Sequence, residues 1–183
     1  MRARAAWTAA LLVAATACAA PRPPRPVPAT HTLVPGSRVS LAVPPGFHHD
    51  PALPGYESAD AHTAIFVNEV PGSVYATLRS FSGEAFLRSG MRLHGHERVE
   101  VDGWPARLYR ASQPVGDGEL ARLVLVFGDS SRSVVLTAVT PIERWATEGP
   151  VLRAALLSAR WHKGGAAPAS APAEEDGTRA DAP

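Results

Sequence analysis

Arg98-Val99-Glu100-Val101-Asp102-Gly103-Trp104-Pro105-Ala106-Arg107-Leu108 sets the fold class of this chain of 183 residues. Residues of alternating character run into Asp102-Gly103. That dipeptide is a strong short hairpin signal, because a type I′ turn needs positive φ at both central positions. The returning strand extends from Trp104 through Leu108 to about Ala111. Downstream, Leu120 to Phe127 and Ser133 to Val139 form a second pair around Gly128-Asp129-Ser130-Ser131. Both are almost unbroken apolar runs, which a strand carries when both of its faces are covered. The four strands read as an antiparallel meander whose later members are central.

Working outward, Arg38 to Val43 alternates and stops at Pro44-Pro45-Gly46, and Ala64-Ile65-Phe66-Val67 reads as an interior strand. A helix is predicted from Ser82, with Phe81 and Phe86 spaced for a hydrophobic staple and Gly90 as its stop. Val74 to Ser80 fits either a helix or a strand. After the meander, Thr140-Pro141-Ile142-Glu143 has the form of a capping box with proline at the first helical position. Gly149-Pro150 is expected to interrupt that helix, and Val151, Leu152, Ala155, Leu156 and Ala159 then continue an apolar stripe to Trp161. The order of elements implies an α+β domain, a curved antiparallel β-sheet flanked by helices.

Composition narrows the function classes. Eighteen Lys and Arg stand against seventeen Asp and Glu, and Lys163 is the only lysine. The formal net charge of +1 argues against a nucleic-acid partner, which calls for a clustered basic surface. One cysteine excludes an internal disulfide and a cysteine-rich zinc site.

That cysteine belongs to an export signal. Met1-Arg2-Ala3-Arg4 is a short basic region, and Ala5 to Ala17 is uncharged and apolar. It is too short to span a bilayer and right for the core of a signal peptide. Cys18 follows Ala15-Thr16-Ala17, which resembles a bacterial lipobox in which the cysteine becomes the lipidated N-terminus; Ala15 stands where leucine is usual. The same alanines satisfy an ordinary A-x-A cleavage site, which would release a soluble protein. On the lipoprotein reading, residues 1–17 are removed and Cys18 carries the acyl chains (palmitate-type lipids) that hold the protein on a bilayer. With Ala19 after the cysteine, a diderm host would sort it to the outer membrane, facing the periplasm. Residues 18–30 are then an anchor and a proline-rich tether, reaching about 35 Å if in polyproline II. Residues 31–163 are the folded domain, with 13 basic and 13 acidic residues. Residues 164–183, rich in Ala and Pro with Glu174-Glu175-Asp176, are expected to be a disordered tail.

Three motifs in the domain resemble the Mog1/PsbP-like superfamily, which includes DcrB-related bacterial envelope proteins and actinobacterial lipoproteins. They are Val39-Ser40-Leu41-Ala42-Val43-Pro44-Pro45-Gly46-Phe47, Val101-Asp102-Gly103-Trp104-Pro105-Ala106-Arg107, and the closing Leu156-Leu157-Ser158-Ala159-Arg160-Trp161. The resemblance covers about His31 to Trp161. It implies an α+β fold and a role in binding other proteins, and it carries over no catalytic or binding residue.

Gly128-Asp129-Ser130 has the look of an esterase nucleophile block, but it joins two strands where that chemistry needs a strand-to-helix turn and a histidine base. It reads as a hairpin loop. His94 and His96 flank Gly95, and residues two apart on an extended chain share a face. With His62, Glu97 or His48-His49-Asp50 as a third ligand, they are the metal candidates of an alternative reading, a metal- or small-ligand-binding domain. Arg107 and Arg110 face Glu97 and Glu100 as cross-strand pairs. Trp104 after the hairpin tip, together with Phe47 and Tyr56 of the irregular Phe47 to His62 segment, are the interface candidates. No cofactor and no catalytic residue is expected. The preferred reading is a non-catalytic accessory module of the cell envelope that docks on an unidentified envelope protein.

Overall fold

The computed structural model describes residues 30–49, 51 and 53–163. The signal, Cys18, the tether, Asp50 and the tail lie outside the described residues.

Among the described residues, ten strands and three helices follow one another. β1 (His31–Leu33), β2 (Val39–Ala42), β3 (Phe47–His49), β4 (Gly55–Ser58) and β5 (Ala64–Pro71) come first. Next are α1 (Val74–Ser80) and α2 (Gly83–Arg88), then the long strands β6 (Arg92–Val101), β7 (Trp104–Val115), β8 (Gly118–Gly128) and β9 (Arg132–Pro141). A 3-10 turn at Ile142–Arg144 leads into α3 (Trp145–Leu157), and β10 (Arg160–Trp161) closes the domain. β6 to β9 are the expected meander. β5 pairs beside β9, so the main sheet has the order β3-β4-β5-β9-β8-β7-β6 with every pairing antiparallel. A small second sheet holds β2 between β1 and β10.

Local chemistry accounts for the turns. Asp102 and Gly103 have φ of 52° and 77°, the two positive values of a type I′ hairpin. At the end of α2, the Gly90 and Met91 amides donate to the carbonyls of Leu87 and Phe86 at 3.0 and 2.8 Å. This is a Schellman cap, with Gly90 at φ 69°. The staple forms as well, the Phe81 and Phe86 rings lying 5.9 Å apart. Val74–Ser80 is a helix, capped by the Ser73 hydroxyl, which accepts from the Tyr75 amide.

The sheet buries residues on both faces, as the apolar β8 and β9 require. One face packs under α3 and the small sheet, with Val39, Leu41, Ile65, Leu108, Leu125, Phe127, Leu136, Leu152, Leu156 and Trp161 in one cluster. The other lies under α1 and α2, with Val74, Phe86, Tyr109, Ala111, Val124, Val126 and Val135.

The structure corrects the reading of the last helix in two ways. Thr140 caps nothing: it lies within β9, one residue before its end, and its hydroxyl donates to Glu148 at 2.5 Å. Gly149-Pro150 does not interrupt α3, which runs through Pro150 as one helix. Proline inside a helix costs about 3 kcal/mol. Burial of Leu152, Ala155 and Leu156 outweighs this, since each buried leucine contributes about 1.5–3 kcal/mol. Strands β1, β3, β4 and β10, only two to four residues long, were not anticipated, because so short a stretch carries no period.

Candidate docking groove

α3 does not lie flat on the sheet along its whole length. Towards the β6 edge, a groove of about 480 Å³ opens between its Trp145–Arg153 side and strands β6, β7 and β8. Its floor is apolar, made by Leu108 and Leu123 beneath and by Trp145 and Pro150 on the helix side.

Strand register explains the opening. Gly95 stands opposite Arg110, and Arg110 opposite Leu123, so a glycine replaces a side chain next to the helix. Nothing lies within 4 Å of where its Cβ would be. The register of β6 shifts between Leu93 and Gly95, and such a bulge bends an edge strand away from its partner. On the helix, Gly149 lets the Trp145 indole fold back over it. A methyl there would meet the ring at 3.0 Å.

The rim is charged. Glu97 accepts from Arg153 Nε and Nη2 at 3.2 and 3.0 Å, a bridge from β6 to α3. Arg110 has no ion-pair partner among the described residues. Glu97 was expected to pair across the hairpin, but its neighbour there is Leu108, while Arg98 faces Arg107. An exposed pair such as Glu97–Arg153 contributes under about 1 kcal/mol, so it opens at little cost.

The first turn of α3 is fastened on its other side by a polar cluster. The Glu148 carboxylate accepts from the hydroxyls of Thr63 and Thr140, both at 2.5 Å, and lies 3.6 Å from Arg144. Burial pushes the Glu148 pKa up, but the hydrogen bonds from Thr140 and Thr63 outweigh it and hold the group below the usual carboxylate range. Arg144 also grips Asp60, whose carboxyl is held well down by the Ser58 hydroxyl and by Arg144. This cluster is structural: it holds a strand end, a loop and a helix together.

The sequence-derived candidates are dispersed. His94 and His96 do not share a face. The bulge turns His94 towards Ser112, with Nε2 2.8 Å from its hydroxyl, while the His96 ring lies 5.6 Å from that of Tyr109 on the other face. His62 is exposed in the loop after β4, its amide bonded to Asp60. Among the described residues, no three His, Cys, Asp or Glu side chains converge as a metal site would require. Tyr56 is 6% exposed, and its hydroxyl donates to the Leu33 carbonyl at 3.2 Å; it is a core residue and not an interface anchor. Phe47 is half-buried against the main core. Trp104 is also half-buried, edge-on to Trp161 at 5.6 Å. Asp129 of the Gly-Asp-Ser loop accepts from the amides of Ser131 and Arg132 at 2.7 and 2.8 Å, as a tight turn requires.

Sequence reasoning missed the groove. Its one local signal was Gly95 inside a strand pattern, which marks a bulge or a close approach.

No family model and no curated protein matches the chain. Solved structures do. CyanoP, the PsbP protein of the cyanobacterium Synechocystis, is 14% identical with a TM-score of 0.51, over 68% of this chain and 87% of its own. LpqN of Mycobacterium tuberculosis, described as involved in cell envelope biogenesis, is 15% identical with a TM-score of 0.51, over 73% and 84%. A Bacteroides thetaiotaomicron protein is 10% identical with a TM-score of 0.53, over 74% of this chain and 49% of its own. The class is thereby defined: an α+β domain with the Mog1/PsbP-like fold, as the sequence motifs implied. At these identities the likeness extends to the fold alone.

Proposed function

We propose that this protein is a non-catalytic accessory module of the cell envelope, held at a membrane through acylated Cys18, which docks on another envelope protein through the groove between α3 and β6–β8. The observation that carries the reading is the groove itself. It joins an apolar floor to an unpaired arginine and a weakly tied Glu97–Arg153 rim, a combination suited to anchoring a side chain and orienting it by charge. The described groove residues hold no hydroxyl or thiol nucleophile beside a base. The envelope role printed for LpqN agrees with the export signal, and in a diderm host the domain would face the periplasm from the outer membrane.

A second reading takes the same groove as a small-ligand site. Its volume of about 480 Å³ lies within the ordinary range for such pockets. This version draws on Trp145, Leu108 and Leu123 instead of the histidines.

A photo-crosslinking residue at Ala146, which is exposed on the groove wall, tests the proposal in intact cells of the native host, with Glu84 on the opposite face as control position. One dominant protein adduct at Ala146, absent at Glu84 and lost with Arg110→Glu and Arg153→Glu, is expected. Identical adducts at both positions, or none at Ala146, would overturn docking through this groove. Cys18→Ala is expected to move the protein from the membrane to the soluble fraction; retention on the membrane would remove the lipid anchor from the reading.

A further inference from the structure

A second groove lies on the other face of the sheet, where α1 approaches the β6–β7 hairpin. It is lined by Tyr75 and Leu78 of α1, by Arg98, Trp104 and Arg107 of the hairpin, and by the Gly128–Ser130 loop. Its chemistry is unusual. Arg98 and Arg107 are directly opposed in register, and like charges directly opposite each other destabilise an antiparallel pair. Neither has an ion-pair partner among the described residues. Glu100, the nearest acid along that face of β6, stands opposite Pro105. Asp129, the other acid at the groove, is taken by Lys163 Nζ at 2.6 Å. Tyr75 beside the arginines is 71% exposed. The groove therefore presents two arginines without ion-pair partners beside an aromatic wall, and its one lining acid, Asp129, is bound to Lys163.

The described residues end beside this groove, at Lys163. Lys163 reaches two residues that line this groove: its Nζ is bound to Asp129 and lies 4.7 Å above the Trp104 ring. Beyond it, residues 164–183 carry four acidic residues and one arginine, with Glu174-Glu175-Asp176 together. Glu174 is eleven residues past Lys163, and eleven residues reach up to about 36 Å. A segment tethered at the edge of its own site has an effective concentration in the millimolar range, so even weak pairing is populated.

We infer that the acidic segment Glu174-Glu175-Asp176 docks in the Arg98–Arg107 groove of its own chain, carboxylates on the guanidiniums, and shields that surface from acidic partners. Two carboxylates on two arginines relieve the like-charge contact that the hairpin otherwise bears, and a tyrosine and a tryptophan flank the seat. The site is on the face opposite the docking groove and does not depend on that assignment.

The test uses the full-length chain with Cys18→Ser and Thr178→Cys, spin-labelled at the introduced thiol and observed by amide NMR. The expected result is selective loss of peak intensity at Arg98, Arg107 and the first turn of α1, sparing Leu108, Leu123 and Ala146 at the other groove. Glu174→Gln, Glu175→Gln and Asp176→Asn together should restore those peaks, as should about 0.5 M salt, which shortens screening to about 4 Å. Unchanged β8 amide positions in that variant would show that the fold is intact. Broadening that survives neutralisation, or that is spread evenly over the surface, would overturn the proposal. So would broadening found only in a mixture of spin-labelled unenriched and unlabelled ¹⁵N chains, which would assign the seat to a second copy's tail.

Discussion

Strands β8 and β6 belong to one meander and have almost equal lengths, 11 and 10 residues, but they live in different solvents. From Leu123 to Gly128, β8 is buried at every position; β6 is exposed or half-buried from Arg92 to Glu100. β8 gives the domain its stability, with a core on each face. β6 is one of the two edges of the main sheet, charged and broken by a bulge, the devices that keep an edge strand from pairing indiscriminately. Both grooves border it, one on each face. Function in this fold is therefore to be sought at the exposed edge of the meander, away from the strand that carries both cores.

Substitutions can break that contrast or sharpen it. Leu125→Ala in β8, where the side chain is fully buried, is expected to cost about 2–5 kcal/mol, read from urea unfolding. Val99→Ala, half-buried in β6, should cost well under half as much. Equal costs would mean that the edge is as much a part of the core as the centre.

The next effect in size is at Glu148. Its removal by Glu148→Ala leaves Thr63 and Thr140, 1% and 0% exposed, without their charged acceptor, at about 1–3 kcal/mol. Acid acts in the same direction. Glu148 and Glu69 are both held below the usual carboxylate range, Glu69 by its hydrogen bonds from Arg38 against the opposing effect of burial. Their contribution is complete above the unfolded carboxylate pKa of about 4.3 and is lost as pH falls from there through the folded values. The urea midpoint should therefore drop from pH 5 towards pH 3, and less steeply in Glu148→Ala.

Smaller still, Arg98→Glu replaces a like-charge contact with an attractive one to Arg107 and should stabilise the hairpin by about 0.2–1 kcal/mol. It would also erase the seat for the acidic segment, so stability and docking would move in opposite directions. Arg153→Ala should change stability by less than about 1 kcal/mol. If it nevertheless diminishes the Ala146 adduct, the edge is confirmed as a surface kept for contact.

The central architecture was legible because its determinants are local. Asp102-Gly103 dictates its turn whatever surrounds it, and the apolar runs of β8 and β9 admit only a strand covered on both faces. Phe81, Phe86 and Gly90 fix α2 in the same way. What escaped depends on partners distant in sequence. Thr140 has every feature of an N-cap, yet it bonds to Glu148, an acceptor the helix itself brings back. Pro150 would end an isolated helix, but α3 has a core to lie on. The candidate site was legible only as hints. Tyr56 is an aromatic in an irregular segment, and only tertiary contact buries it. His94 and His96 are two residues apart, and only the bulge at Gly95 turns them to opposite sides.

The small sheet has a mechanical consequence. β1 and β10 lie on either side of β2, and His31 sits opposite Ala42 while Trp161 sits opposite Val39. The chain thus enters at one end of β2 and leaves at the other. A pull between the two ends runs along the strands, across hydrogen bonds that stand perpendicular to them, so the ladder is loaded in shear and its bonds share the force instead of opening one after another.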